Sequence, residues 1–181
     1  AIMNQSRYIE EAIGNVGRNS IIGGILAVLV LYFFLHNISS TLIVGTAIPI
    51  SIIATFILVY FNGLTLNLMS LGGLALGIGM LVDNAIVILE NIYRFRQEGL
   101  DRIEAAKKGS KEVATAIIAS TLTTIVVFLP VVFVQGIASQ LFSELALTVT
   151  FALLASLAVA LTFIPMVSSQ ILTISPNSIW T

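Results

Sequence analysis

Long apolar runs broken by short polar segments set the pattern of this chain, and they predict helices that cross a bilayer. Residues 4–19 come first and differ from the rest. Tyr8, Ile9, Ala12, Ile13 and Val16 recur there at helical spacing among polar residues, as in an amphipathic helix lying at an interface. The bundle proper is expected over residues 20–172, with spans at 20–37, 41–61, 68–92, 113–134 and 145–171. Ile21 to Leu35 falls a little short of the ~20 apolar residues that cross a hydrocarbon core, so that span borrows a turn from each flank. His36 and Asn37 then mark the water boundary, and His36 is read as an interfacial polar residue.

Pro49 interrupts the second span and frees a carbonyl that Ser51 and Thr55 are candidates to satisfy. Asn62 to Asn67 reads as a turn, and Gln135 to Ser143 as a short loop. Between the third and fourth spans, residues 93–112 are rich in charge and have only a weak apolar face in Ile103, Ala105 and Ala106. One or two short helices on the membrane surface are expected there. In the fourth span, Thr115, Ser120, Thr121, Thr123 and Thr124 form a polar set expected to pack inward. Residues 173–181 are a polar tail without period.

Composition agrees with this all-α, polytopic reading. Of the 181 residues, 57% are hydrophobic and 9% charged, leaving too few polar side chains to coat a water-facing surface. The lipid bilayer is therefore the expected surrounding. A formal net charge of −1 argues against a nucleic-acid partner. With no cysteine and one histidine, neither a Cys-based metal or redox site nor a cofactor is expected. Six of the eight Lys and Arg residues lie between Arg94 and Lys111. The positive-inside rule puts that segment in the cytoplasm, and counting outward leaves the N-terminus outside. Arg7, Glu10 and Glu11 preclude a signal peptide, so at least one preceding span is expected.

The chemistry concentrates in the third span. Asp83 sits within an apolar run, where a charge costs about 2.5 to 3.5 kcal/mol on insertion scales. Such groups are functional by default, and a carboxylate at that depth can load and release a proton as its surroundings change. Asn84 follows and can donate or accept hydrogen bonds. Glu90, seven residues on, shares nearly the same helix face about 10 Å away and is a secondary polar candidate. Upstream, Gly73, Gly77 and Gly79 suit close helix packing, with Gly73 and Gly77 in small-xxx-small spacing. No strand precedes Gly77, which excludes a dinucleotide fingerprint. An intramembrane aspartyl protease would need two aspartates sharing a proton, and only Asp83 lies in a span, so an enzyme is not expected.

The stretch GIGMLVDNAIVILENIYR, with TLIVGTAIPISII before it and FLPVVFVQGIASQLFSELALTVTFALLASLAVALTFIP after it, resembles the membrane region of resistance–nodulation–division (RND) transporters. The likeness runs from about Gln5 to Leu172 and corresponds to spans two to six of that family's N-terminal half. It implies a multi-pass protein of the prokaryotic cytoplasmic membrane, part of a proton-driven multidrug exporter that forms homo-oligomers when full length. The relay in this helix is commonly a pair of adjacent aspartates. Asp83 matches the first, while Asn84 stands at the second, leaving one titratable group. The resemblance also implies a relay lysine from a C-terminal half and substrate binding in extracytoplasmic domains, so this stretch alone is expected to be inactive. A Sec-associated translocation motor, whose membrane domain resembles the same superfamily, and a non-transporting membrane scaffold are the alternatives.

Overall fold

A computed structural model describes residues 38–65, 67–133 and 136–172, together with Gly14, Arg18, Ile22, Ile25, Leu26, Leu29, Tyr32 and Phe33. The isolated eight are helical. Most of the amphipathic helix over 4–19 and of the span over 20–37, together with His36 and the tail over 173–181, thus lies outside the described residues.

Among the described residues, four helices are long and apolar enough to cross a membrane: α1 (Ile38–Phe61), α2 (Leu68–Gln97), α3 (Arg102–Val132) and α4 (Ile137–Ile171). The protein is a polytopic all-α helix bundle. Successive helices run in opposite directions, so α2 and α4 are parallel to each other. The last helix, α4, packs against all three others, whereas α1 and α3 do not touch among the described residues. Its buried stripe of Ala152, Ala155, Ser156, Val159 and Ala160 explains this placement, because small side chains let several helix backbones approach.

The α2–α4 contact is the tightest. A Cβ at Gly73 would lie 2.7 Å from the Leu145 carbonyl oxygen and 3.0 Å from the Thr148 Cβ. One at Gly77 would overlap the Ala152 Cβ. The small-residue spacing is therefore a packing device at these two positions. Gly79 is helical, but its surroundings lie outside the described residues.

The junction between α2 and α3 differs from the expected surface helices. No helix lies across residues 93–112; α2 continues to Gln97, four residues turn, and α3 begins at Arg102. Gly99 causes the stop. It adopts φ 93°, a left-handed conformation that glycine enters without a Cβ penalty. The Gly99 N–H then donates to the Arg96 carbonyl (3.2 Å) and the Leu100 N–H to the Phe95 carbonyl (3.3 Å), the pairing of a Schellman cap. Ala105, Ala106 and Gly109 are buried and make the apolar face that turns α3 back along α2. At Gly109 a Cβ would come within 2.7 Å of the Ile92 Cα. Ile103, counted with that face from the sequence, is exposed.

Three further expectations change. The loop expected over Gln135 to Ser143 is mostly helix, since α4 starts at Ile137; a helix satisfies its own backbone, so polar residues such as Gln140 and Ser143 do not break it. In α1 the Thr55 hydroxyl donates to the Ser51 carbonyl (2.8 Å), not to the Gly45 carbonyl freed by Pro49, and the buried Ser51 hydroxyl has no partner among the described residues. In α3 only Thr121 of the polar set is buried, while Thr115, Ser120 and Thr123 are exposed. At 100° per residue those positions spread around the helix instead of sharing a face. Thr123 and Thr124 donate to their own α3 carbonyls at Ala119 (2.8 Å) and Ser120 (3.0 Å), which satisfies hydroxyls without a neighbour.

Candidate functional site

Asn67 opens the helix that carries the candidate residues. Its side-chain oxygen accepts from the Met69 and Ser70 N–H groups (both 2.9 Å), and the Ser70 hydroxyl accepts from the Asn67 N–H (2.8 Å). This reciprocal capping box satisfies donors that would otherwise be bare. The Asn67 amide also donates to Glu144, tying the start of α2 to α4 at the end opposite the charged turn. Leu145, Thr148 and Ala152 then hold α2 by its glycines, so its rotation about its axis is set.

That rotation decides where the acids point. Asp83 lies near the middle of α2, about 22 Å along the axis from its start. It is exposed on the outer face of the bundle, in line with Leu76, Val87 and Glu90, which are also exposed. Neither Asp83 nor Glu90 has a hydrogen bond or ion pair among the described residues. The side chain next to Asp83 goes elsewhere. Asn84 is half-buried, and its amide donates to the Thr121 hydroxyl of α3 across 3.2 Å. Thr121 is only 3% exposed. The two adjacent relay candidates therefore face different surroundings, an open face for Asp83 and a neighbouring helix for Asn84.

One heptad later the pattern repeats. Glu90 is exposed, and its successor Asn91 is buried against α3. The Asn91 amide donates to the Gly109 carbonyl (2.8 Å) and to Glu112 (3.1 Å). The Arg94 guanidinium donates to the same Glu112 oxygen at 2.7 Å, and its Nε lies 3.8 Å from Glu98. Arg94 thus pairs with Glu112 and Glu98, although Glu90 precedes it by four residues. Glu112 lies in the charged segment ahead of the apolar stretch of α3. Asn91 and Arg94 thus both donate to one oxygen of its carboxylate.

Asn91 and Glu112 are not picked out by the sequence reading, and Thr121 enters it only as one of the polar set in the fourth span. Their signal was present in part, since Asn84 and Asn91 are seven residues apart and must share a face as Asp83 and Glu90 do. The partners on α3 carried no such signal, because the turn at Gly99 sets which α3 residues meet that face. Asn91→Ala is expected to leave the Gly109 carbonyl without this donor and lower stability by about 1 to 3 kcal/mol. Thermal unfolding in detergent micelles measures this, and an unchanged midpoint would refute the role of Asn91 in holding the junction.

No group of three or more His, Cys, Asp or Glu side chains suited to a metal ion occurs among the described residues. Residues 1–179 match the AcrB/AcrD/AcrF family. The chain is 37% identical over 169 residues to the multidrug resistance protein MdtC of Klebsiella pneumoniae subsp. pneumoniae, covering 93% of this chain and 16% of that protein. Against MdtC of Yersinia enterocolitica the identity is 35% over 174 residues, covering 96% of this chain and 17% of the relative. The swarming motility protein SwrC of Bacillus subtilis is 36% identical over 174 residues, covering 94% and 16%. The chain therefore spans 16–17% of the length of these relatives.

Proposed function

Because this chain belongs to the AcrB/AcrD/AcrF family of RND transporters, we propose that it forms membrane-crossing machinery of a proton-driven exporter, with Asp83 as the group that takes up and releases the proton. The observation that carries the reading is the position of Asp83: a carboxylate midway along a membrane-crossing helix, on the open face of the bundle and without a partner among the described residues. A charge in that position is costly, and protonation removes the cost. A cation approaching the open face from a further part of the transporter would reverse the balance and favour the ionised form. Alternation between those two surroundings is what coupling to a proton gradient requires.

Export of drugs or amphiphilic compounds is the proposed task, in keeping with the multidrug resistance proteins among the relatives. The names of those relatives favour an exporter over a translocation motor or an inert scaffold. Carrier action, and no bond-making chemistry, is assigned to the chain. Its proposed partners are the bilayer, protons, a lysine-bearing second half, extracytoplasmic domains that hold substrate, and further copies of the full-length transporter. The proposed location is the cytoplasmic membrane of a prokaryote.

The test uses full-length transporter in proteoliposomes with a trapped pH dye and ethidium as the transported probe. Ethidium movement is expected to follow an imposed pH gradient, to accelerate proton flux and to stop when an uncoupler collapses the gradient. The stretch of 181 residues alone is expected to move no ethidium. Transport by the full-length protein that ignores the gradient would sink the proposal.

A further inference from the structure

The cations at the charged end of the bundle fall into two groups once their partners are known. Arg94 is paired with Glu112 and Glu98. Arg96 donates to the Leu100 carbonyl at 2.6 Å, and Arg102 to the Gln170 carbonyl at 3.2 Å, where it caps the last turn of α4. Lys107, Lys108 and Lys111 are exposed and have neither an ion pair nor a hydrogen bond among the described residues. The arginines therefore hold the protein's own acids and carbonyls, and the lysines remain available.

These lysines also occupy one side of α3. At 100° per residue they fall within a 100° arc, opposite the buried Ala105, Ala106 and Gly109. Continued along the helix, the same arc carries Ile118, Leu122, Val126 and Leu129, all exposed. An apolar stripe that belongs against acyl chains thus ends in three unpaired ammonium groups at the height of the headgroups. Lysine stems lie along apolar surface while their heads stay in the polar layer. Glu104 is exposed on the same side, which leaves this face with a net charge of about +2 counted by the side-chain inventory.

We propose that Lys107, Lys108 and Lys111 form a binding surface for anionic phospholipid headgroups in the leaflet bordering the charged end of the bundle. Charge complementarity selects the occupant. Phosphate-bearing lipids with net negative charge are drawn to juxtamembrane basic residues, and a zwitterionic lipid has no net charge to offer. The surface would anchor the α2–α3 hairpin to the membrane at a level set by α3. It does not depend on the proton role of Asp83.

Electron paramagnetic resonance tests this on the full chain in phosphatidylcholine vesicles, with trace spin-labelled phosphatidylglycerol or spin-labelled phosphatidylcholine as probe. The motionally restricted fraction reports lipid held at the protein surface. Phosphatidylglycerol is expected to be favoured by about fivefold, roughly the worth of one basic residue at a membrane surface, with the preference falling at high salt. Lys107→Gln, Lys108→Gln and Lys111→Gln together should bring it near parity, whereas the three Lys→Arg changes should retain it. Glu104→Gln should raise it. Circular dichroism checks that each variant is helical, and the salt titration of the unaltered chain gives an independent reading should the triple variant misfold. Equal retention of both lipids by the unaltered chain would overturn the proposal and point to a protein occupant. A preference that survives the three Lys→Gln changes would place the lipid elsewhere and overturn it as well.

Discussion

Asp83→Asn in the full-length transporter is expected to reduce proton-coupled export to background while leaving the protein folded. Both halves of that expectation come from where the side chain sits. Asp83 projects from the open face of α2 and has no hydrogen bond or ion pair among the described residues, so the replacement breaks neither there. Asparagine is nearly the same size and removes the cost of a charge within the span, so folding should be as good or better. What it removes is titration. Asn84 is already an amide engaged with Thr121, and Glu90 lies about 10 Å further along the helix, so neither stands ready to replace the lost carboxylate. Ethidium efflux from cells lacking other exporters, read beside membrane yield and a size-exclusion profile, measures the outcome. Export undiminished in a well-folded Asp83→Asn protein would dismiss Asp83 as the coupling site.

Gly77→Leu should have the largest effect on the fold. The α2–α4 contact leaves no room at this position, since even a Cβ would overlap that of Ala152. Overpacking a well-filled interior commonly costs about 1 to 3 kcal/mol. A cost at the upper end is expected here, because the obstructing Ala152 Cβ is fixed to its helix backbone and cannot turn aside. A rotated or displaced α2 would also change where Asp83 points, so export should fall together with stability. Gly72→Ala supplies the contrast. Nothing lies within 4 Å of a Cβ at Gly72, and alanine is the better helix former by up to about 1 kcal/mol, so that variant should match or exceed the parent. Thermal aggregation in detergent, followed by size exclusion, distinguishes the two. A Gly77→Leu protein as stable as the parent would mean that α2 and α4 are not held by this contact.

Much of the architecture was legible in the order of residues. Polar breaks at Asn62 to Asn67 and near Gln135 separate apolar stretches whose lengths match a bilayer, and Pro49 and Pro165 lie within helices as tolerated interruptions. Asp83 was also visible, because a carboxylate within such a stretch is conspicuous whatever the fold. The LVDNAIV and EN residues carried the family resemblance, and the match over residues 1–179 agrees with it. The end of α2 was less legible. Gly99 signals a helix stop, but whether the following charged residues lie on the membrane or rise into α3 depends on Ala105, Ala106 and Gly109 meeting a neighbouring helix.

Side-chain direction was the part that required the tertiary structure, and the reason is the solvent. In water, an apolar stripe identifies the buried face of a helix. In a bilayer, the lipid is as apolar as a neighbouring helix, so hydrophobicity ceases to separate inside from outside. Leu122 and Val126 face outward and Ile117 and Ile125 inward on the same helix, with no difference in polarity to tell them apart. The sequence alone determined a membrane-crossing all-helical chain of the RND kind with one deep carboxylate. The packing of Gly73 and Gly77 on α4 decided that Asp83 faces open space while Asn84 reaches Thr121. The turn at Gly99 decided that Glu112 meets Arg94 and that three lysines stay unpaired beside the lipid face.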